Sequence, residues 1–555
     1  MPKLKGRDWI VAITAKFRLS FGGSIGGILF FCFSFTPSLL PRGYITQGLA
    51  AGLSFATGYG LAVAVAHLYH KLPRRYQLSI PPLAKRVTIV LLLLLAVVFI
   101  IAGYNWQQDI RTLTQASSES YFYPVRVVIV AAILSALLIW AGRGARRLSR
   151  YCARKFNHFL GPTLSMYLGR ALAIVIIVFL VNGVLLRSAF AFINYSFGLQ
   201  NKGTSPGIYQ PQSSEFSGSP TSAINWNGLG EKGREFVASA PTAVSIHAYS
   251  GTDSQQPSRL YAGLESAPTL QERVQLLVQE LNRTKAGNRK AVLIAIPTGS
   301  GGINAKSVQS VEYLFNGDTT TLGIQYSYLP SWLSFLADQE TARQNGQVLT
   351  EAVYDWWSNL PADNRPKLLM YGESLGTLGA DGAFSGPSDM ANRMSGVLLA
   401  GPPNANHLWS EIVAGRDMGS REVLPTYQNG KVVRFNDGTF RFATKPTNQT
   451  WGTSRIGFIQ HASDPVVWGS LALFLHQPDW LKEPRGSDVL PNMRWYPFVT
   501  GWQMALDLPF AFGATPGHGH RYDNSLTGGW EDILNIHPSP EKSQQLQDIV
   551  NQLRS

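Results

Sequence analysis

The sequence predicts a two-part molecule: a multi-span α-helical membrane domain, then an α/β domain with a mostly parallel sheet and helices on both faces. Three observations predict it. Residues 1–199 carry 21 Lys and Arg against only Asp8, Asp109 and Glu119, while the remaining residues carry 27 against 31 acidic ones. Charged residues make up only 15% of the 555, well below the roughly 25% of an average soluble protein, because the first third is filled by long apolar runs. Beyond about residue 225, short β-rich runs alternate with longer amphipathic patterns, as strand–helix–strand units do. An apolar content of 45% can build a core, which excludes disorder as the main theme. The basic residues sit between apolar runs and form no contiguous patch, so nucleic acid is not an expected partner.

Crossing the hydrocarbon core takes about 20 apolar residues in a helix. Five stretches qualify: residues 19–40, 45–69, 87–104, 121–141 and 171–193. Arg126 and Arg187 lie inside the last two, where a long side chain can snorkel to the head groups. Alternating loops are basic: the N-terminus with Lys3, Lys5, Arg7, Lys16 and Arg18, then Lys71 to Arg86, then Arg143 to Arg170. The loops between them hold Arg42 alone and Arg111 alone. Basic loops stay cytoplasmic, so five spans place the N-terminus inside and everything after residue 193 outside a cell (inner) membrane. The first apolar run ends without a small-residue cleavage site, and the segment is expected to be retained. Its end, Thr36-Pro37-Ser38-Leu39-Leu40-Pro41-Arg42, cannot continue a helix through two prolines. A structural turn is the expected role, with a lipid head-group contact by Arg42 the alternative. Gly48, Gly52, Gly58 and Gly60 predict close helix packing in the second span.

The expected division is a transmembrane domain over 1–199, a flexible Ser/Gly/Pro/Gln-rich linker over 200–222, and a catalytic domain over 223–555. Within that last part, strands are expected at 243–248, 258–262, 290–296, 322–328, 367–371, 395–400, 456–460 and 495–500. Helices are expected at 270–285, 338–360 and 502–512. Both cysteines, Cys32 and Cys152, lie in the first third, so the C-terminal part holds no disulfide framework, thiolate metal site or Cys nucleophile.

The chemistry centres on Gly372-Glu373-Ser374-Leu375-Gly376, a G-x-S-x-G match. The pattern also occurs at 22–26 and 203–207, in an apolar span and in the linker. Only Ser374 follows an apolar strand and precedes a plausible helix, where glycines permit the sharp turn that exposes a nucleophile. A serine hydroxyl needs a histidine to take its proton, and the histidine needs a carboxylate to fix its tautomer. On α/β-hydrolase sheets the chain order is Ser, acid, His. Asp464, after the strand at 456–460, is the candidate acid, with Asp507 in reserve. His520 in Gly517-His518-Gly519-His520 is the candidate base, with His518 in reserve. The N–H of Leu375 and those of Gly299 and Ser300, in the Gly-rich loop after the strand at 290–296, are the expected oxyanion donors. That loop lacks the lysine and spacing of a phosphate loop, and no cofactor is expected. A metal site from His461, Asp464, His518 and His520 is chemically possible, but the triad order favours acyl chemistry, and no metal is expected. Tyr326, Tyr328 and Trp332, beyond one strand end, and His407, beyond another, are candidate substrate contacts, although core or lid packing explains aromatic residues there equally well.

The chain resembles bacterial membrane α/β-hydrolases in which an N-terminal transmembrane domain is fused to an α/β-hydrolase catalytic domain. The resemblance rests on FTPSLLPR (35–42), QGLAAGL and GYG in the first part. In the second it rests on IQYSYLPSW (324–332), RPKLLMYGESLG (365–376), GPPNANHLW (401–409), QHASDPVVW (460–468) and GHGHRY (517–522). It implies an integral-membrane serine hydrolase with Ser374, Asp464 and His520 in the triad positions. The expected activity is cleavage or transfer of an acyl ester by an esterase or lipase type of enzyme, its partners the lipid bilayer and a hydrophobic ester. The alternative is a membrane-anchored binding or scaffold protein that keeps the fold without turnover.

Overall fold

The computed structural model describes residues 19–73, 80–442 and 449–553. The basic N-terminal segment through Arg18, and Arg74 and Arg75 of the second basic loop, lie outside the described residues. The chain forms two compact units. The first is Met1–Arg187 together with Leu471–Lys482 and Val489–Asp507; the second is Ser188–Ser470, Glu483–Asp488 and Leu508–Ser555.

In the first unit, Tyr44–Tyr69, Pro82–Leu113 and Tyr123–Phe156 are long and apolar enough to cross a membrane, as is the helix Pro162–Asn201 that begins there. The first apolar stretch gives something shorter. Ser20 caps the helix by accepting the Gly23 N–H, and the helix runs only over Phe21–Phe33, 13 residues, or about 20 Å at 1.5 Å per residue. The expected five spans are therefore four long helices and one short one. Leu91, Leu94, Val98 and Ile101 are exposed on Pro82–Leu113, an apolar face suited to lipid tails rather than water. The glycines expected to bring helices together do so unequally. A methyl group on Gly26 would lie 2.5 Å from the Gly58 carbonyl oxygen, whereas Gly60 faces open space.

The segment after Phe33 is irregular, and its backbone polar groups find side-chain partners. Gln47 Nε2 and Gln503 Nε2 both donate to the Ser34 carbonyl, at 2.9 and 3.1 Å, and Gln503 also reaches the Thr36 carbonyl at 3.0 Å. Arg42 is buried, not turned to head groups: its Nε and Nη2 donate to the two carboxylate oxygens of Asp507 at 2.7 and 3.0 Å. Its main-chain N–H donates to Gln107 and its carbonyl accepts from Arg111. Asp507 is thus an ion-pair partner, which removes it as the reserve acid.

The second unit is built on a seven-stranded sheet. Its strands are Ser258–Ala262 (β1), Ala291–Ile296 (β2), Thr319–Ile324 (β3), Lys367–Glu373 (β4), Gly396–Ala400 (β5), Val433–Asn436 (β6) and Arg455–Ile459 (β7). The order is β1-β3-β2-β4-β5-β7-β6, every pair parallel. β4 therefore lies in the middle, and Val292–Ile296 and Leu368–Tyr371 are buried, as expected for strands covered on both faces. Parallel strands bring their carboxyl ends, and the residues beyond them, to one edge of the sheet.

Several sequence expectations shift. Residues 243–248 are helical, within Ala243–Ser250, because Thr242 caps the turn by accepting the Ser245 N–H. The strand expected at 322–328 ends at Ile324, and its aromatic continuation is a loop. Residues 495–500 form no strand and lead into the helix Val499–Asp507. The expected flexible linker is partly pinned: Glu280, itself buried, accepts from Ser217 Oγ, Ser222 Oγ and the Ala223 N–H at 3.1, 2.9 and 2.9 Å.

Candidate active site

Ser374 stands between β4 and the helix Leu375–Asp381 with φ 55° and ψ −125°. A non-glycine residue held there stores of order 1–3 kcal/mol of strain. The turn is held from both sides. The Ser374 N–H donates to the Ala400 carbonyl at 2.9 Å, and its own carbonyl accepts from the Thr377 N–H and from Thr377 Oγ1 at 2.7 Å. Close approach explains the second glycine of the motif, since a methyl group on Gly376 would lie 2.3 Å from the Ile296 carbonyl oxygen. That contact sets the elbow against the end of β2, where the Gly-rich loop begins. In the loop, Thr298 N–H donates to the Gly302 carbonyl and Gly301 N–H to the Thr298 carbonyl. Gln325 Nε2 fixes the Ser300 carbonyl at 2.8 Å, and the Tyr261 hydroxyl fixes that of Gly301 at 2.7 Å. Gly299 packs against the Leu329 carbonyl and Ser334. Leu375 opens its helix, so its N–H is among the donors that have no partner within the helix.

Asp464 lies five residues beyond β7 and caps the short helix Pro465–Trp468. Oδ1 accepts the Val466 N–H at 2.8 Å. Oδ2 accepts from His520 Nδ1 at 2.6 Å, and also from the Tyr522 hydroxyl. Burial pushes this carboxyl up, but the charge of His520 and the hydrogen bonds from His520, Tyr522 and the Val466 N–H outweigh it and hold it below the usual range. Burial and the adjacent Asp464 charge push the Tyr522 phenol far up, so it remains a donor. In the neutral imidazole the Asp464 carboxylate keeps the proton on Nδ1, and Nε2 is a free acceptor. It is buried and, among the described residues, makes no hydrogen bond. Gly401, with φ +58°, supports the ring: a methyl group there would lie 2.5 Å from His520 Cε1. The Ser374 N–H bonds to Ala400 and His520 rests on Gly401, so both stand at the carboxyl end of β5.

The reserve base is elsewhere. His518 Nδ1 is 3.7 Å from Asp488 Oδ2, and Asp488 in turn accepts from Ser463 Oγ. Ser463 Oγ accepts the Gly519 N–H at 2.9 Å, and the Gly519 carbonyl is 2.8 Å from His461 Nδ1. These contacts tie the acid turn to the histidine turn and leave His520 alone facing Asp464. Among the described residues no three His, Cys, Asp or Glu side chains are grouped to hold a metal ion.

Of the expected substrate contacts, Tyr326 is buried against Leu375, Leu378 and Ala342, beside the elbow. Tyr328 is half-buried and packs near Gly198. Trp332 falls in the helix Ser331–Ala337, and its side chain lies outside the described residues. His407 is exposed at the start of the helix His407–Ala414, where its N–H donates to Asp381 at 3.1 Å rather than to any triad candidate. Glu373, flanking Ser374, accepts from the Tyr371 hydroxyl at 2.5 Å and Asn304 Nδ2 at 2.9 Å.

An α/β-hydrolase family model matches residues 258–546, and a model of the same family's N-terminus matches residues 35–241. The chain belongs to an α/β-hydrolase family. No curated protein matches this chain, and no solved structure does. Tyr522, which bonds to Asp464 beside His520, is the residue of this candidate site that sequence reasoning passed over. It stands in the same GHGHRY run as the histidines, and a buried phenol two positions from a candidate base was its only signal.

Proposed function

We propose that this α/β-hydrolase is an integral-membrane serine hydrolase that cleaves or transfers an acyl ester through an acyl-enzyme. One observation carries the reading: His520 is bonded through Nδ1 to Asp464 while its Nε2 is buried and unpartnered, at the strand edge that carries the strained Ser374. The hydroxyl of Ser374 attacks the ester carbonyl as His520 Nε2 takes its proton. The oxyanion is stabilised by the N–H of Leu375 and by the Gly299–Ser300 loop. The imidazolium returns the proton to the leaving alcohol, and water or a second alcohol then resolves the acyl-Ser374 by the same path. Asp464 keeps its negative charge throughout and holds the imidazole in register.

Four apolar helices support a place in the membrane. In our reading the basic helix ends that carry Lys85 and Arg146 face the cytoplasm, and the hydrolase unit lies outside the cell membrane. Tethering to a bilayer raises the local concentration of membrane-borne substrates, which favours a lipid or other cell-envelope ester.

The test is labelling of the detergent-solubilised chain with a fluorescent fluorophosphonate, alongside an aryl ester series. We expect labelling to vanish in Ser374→Ala and turnover to vanish in both Ser374→Ala and His520→Ala. Equal labelling of all three proteins would mean that the domain binds rather than cuts.

A further inference from the structure

The loop after β1 opens on a polar groove of about 460 Å³. Its wall is the short turn Trp226–Leu229, and its floor is Ser266, whose Oγ donates to the Gly228 carbonyl and accepts the Gly263 N–H, each at 3.0 Å. Trp226 is partly exposed and is backed by the Arg234 guanidinium, 5.9 Å from the ring centre. Asn225, Asn227 and Glu265 also line the groove. Among the described residues none of these three side chains has a hydrogen-bond partner in the chain. The groove thus offers an indole surface beside two exposed planar amides, Asn225 and Asn227, and a carboxylate, Glu265, that feels the Arg234 charge, while the Gln210 amide at its edge is held by the Gly218 carbonyl. Such a set suits a ligand with apolar C–H faces and many hydroxyls. An alkyl chain would leave the amides unsatisfied, and a phosphate would meet Glu265 at a cost.

The groove is joined to the proposed active site through one residue. Gln325, at the end of β3, accepts the Leu264 N–H of the groove loop at 3.2 Å through Oε1 and donates to the Ser300 carbonyl of the oxyanion loop at 2.8 Å through Nε2. β1 and β4 are three positions apart in the sheet, about 14 Å at 4.8 Å per strand, and both open at the same edge. We infer that the groove holds a sugar ring, and that the substrate is an acyl ester of a carbohydrate with its ester at Ser374 and a sugar unit against Trp226. The substrate class rests on the serine-hydrolase reading; the sugar site does not.

The test uses the full chain in a detergent without a sugar head group. One arm compares turnover of octanoyl glucose, octanoyl galactose and methyl octanoate by wild type, Trp226→Ala and Trp226→Phe. We expect a preference for the sugar esters that falls about tenfold in Trp226→Ala, as loss of a central aromatic anchor does, and that Trp226→Phe largely restores. The second arm measures binding of glucose, galactose, mannose and N-acetylglucosamine to Ser374→Ala by saturation-transfer NMR, with and without Trp226→Ala. Sugar binding that depends on Trp226, in a protein that turns over no ester, would sink the hydrolase reading and keep the sugar site. Ester turnover with no sugar preference and no sugar binding would overturn the inference and leave the hydrolase standing.

Discussion

The phenol of Tyr522 and the imidazole of His520 share one oxygen, Asp464 Oδ2. Tyr522 therefore supports the charge that holds the His520 imidazole, and its loss has a calculable sign. The Asp464 carboxyl is held below its ordinary range, so its contribution to stability is fully present above about pH 4, the unfolded value. It is lost as pH falls through the lower folded-state value. Tyr522→Phe removes one hydrogen bond to a charged group, worth about 1.5–3 kcal/mol, and raises the folded-state value. We expect lower stability at neutral pH and a smaller further loss on acidification. Chemical denaturation between pH 3 and 7 checks this, and an unchanged pH profile would dismiss the role given to Tyr522.

Ser374 stores strain that only glycine relieves. At φ 55° and ψ −125° a Cβ is unwelcome whatever it carries, so Ser374→Ala removes the hydroxyl and keeps the strain. Ser374→Gly removes both. Both variants should be inactive, with the glycine variant the more stable, offset in part by the greater freedom of its unfolded chain. Thermal unfolding of the pair decides it. Equal or lower stability of the glycine variant would mean the elbow is not strained.

Arg42 and Asp507 form a fully buried, two-pronged ion pair inside the first unit. Removing one partner strands the other charge, at a cost of about 3–5 kcal/mol, whereas apolar replacement of both is often tolerated. Arg42→Ala and Asp507→Asn should each unfold at markedly lower temperature. The double variant Arg42→Met, Asp507→Leu should recover much of the loss. A double variant no better than the worse single one would show that the surrounding glutamine network, not the pair, sets the stability.

Asp507 also marks where the sequence stopped being legible. Strand and helix periodicity located β2, β4, β5 and β7 to within a few residues, because buried parallel strands read as continuous apolar runs. Motif, strand end and chain order pointed to Ser374, Asp464 and His520, of which Asp464 and His520 are hydrogen-bonded and Ser374 stands at the turn after β4. Asp507 resembled a catalytic acid only because nothing local announces an arginine 465 positions away. β6 escaped for a different reason: Val433–Asn436 is a four-residue edge strand with Arg434 in it, too short to show a period. At 243–248 local β-propensity lost to the Thr242 cap. The groove at Trp226 is assembled from three segments, around Gln210, Trp226 and Ser266, and none carries a motif alone.

Gly401 offers the sharpest test of how the base is held. Its φ of +58° favours glycine, and a methyl group there would lie 2.5 Å from His520 Cε1 and 2.6 Å from Tyr522 Cε2. Gly401→Ala must therefore push the imidazole and the phenol, whose atoms lie nearest the added methyl, away from Asp464. A displacement of about 1 Å at a reacting group costs on the order of a hundredfold in rate. We expect ester turnover to fall by at least that factor, and fluorophosphonate labelling to slow with it, while far-ultraviolet circular dichroism stays that of a folded chain. A Gly401→Ala variant that is folded and fully active would mean that His520 reaches its working position without the support of Gly401, and the role given to Gly401 would fall.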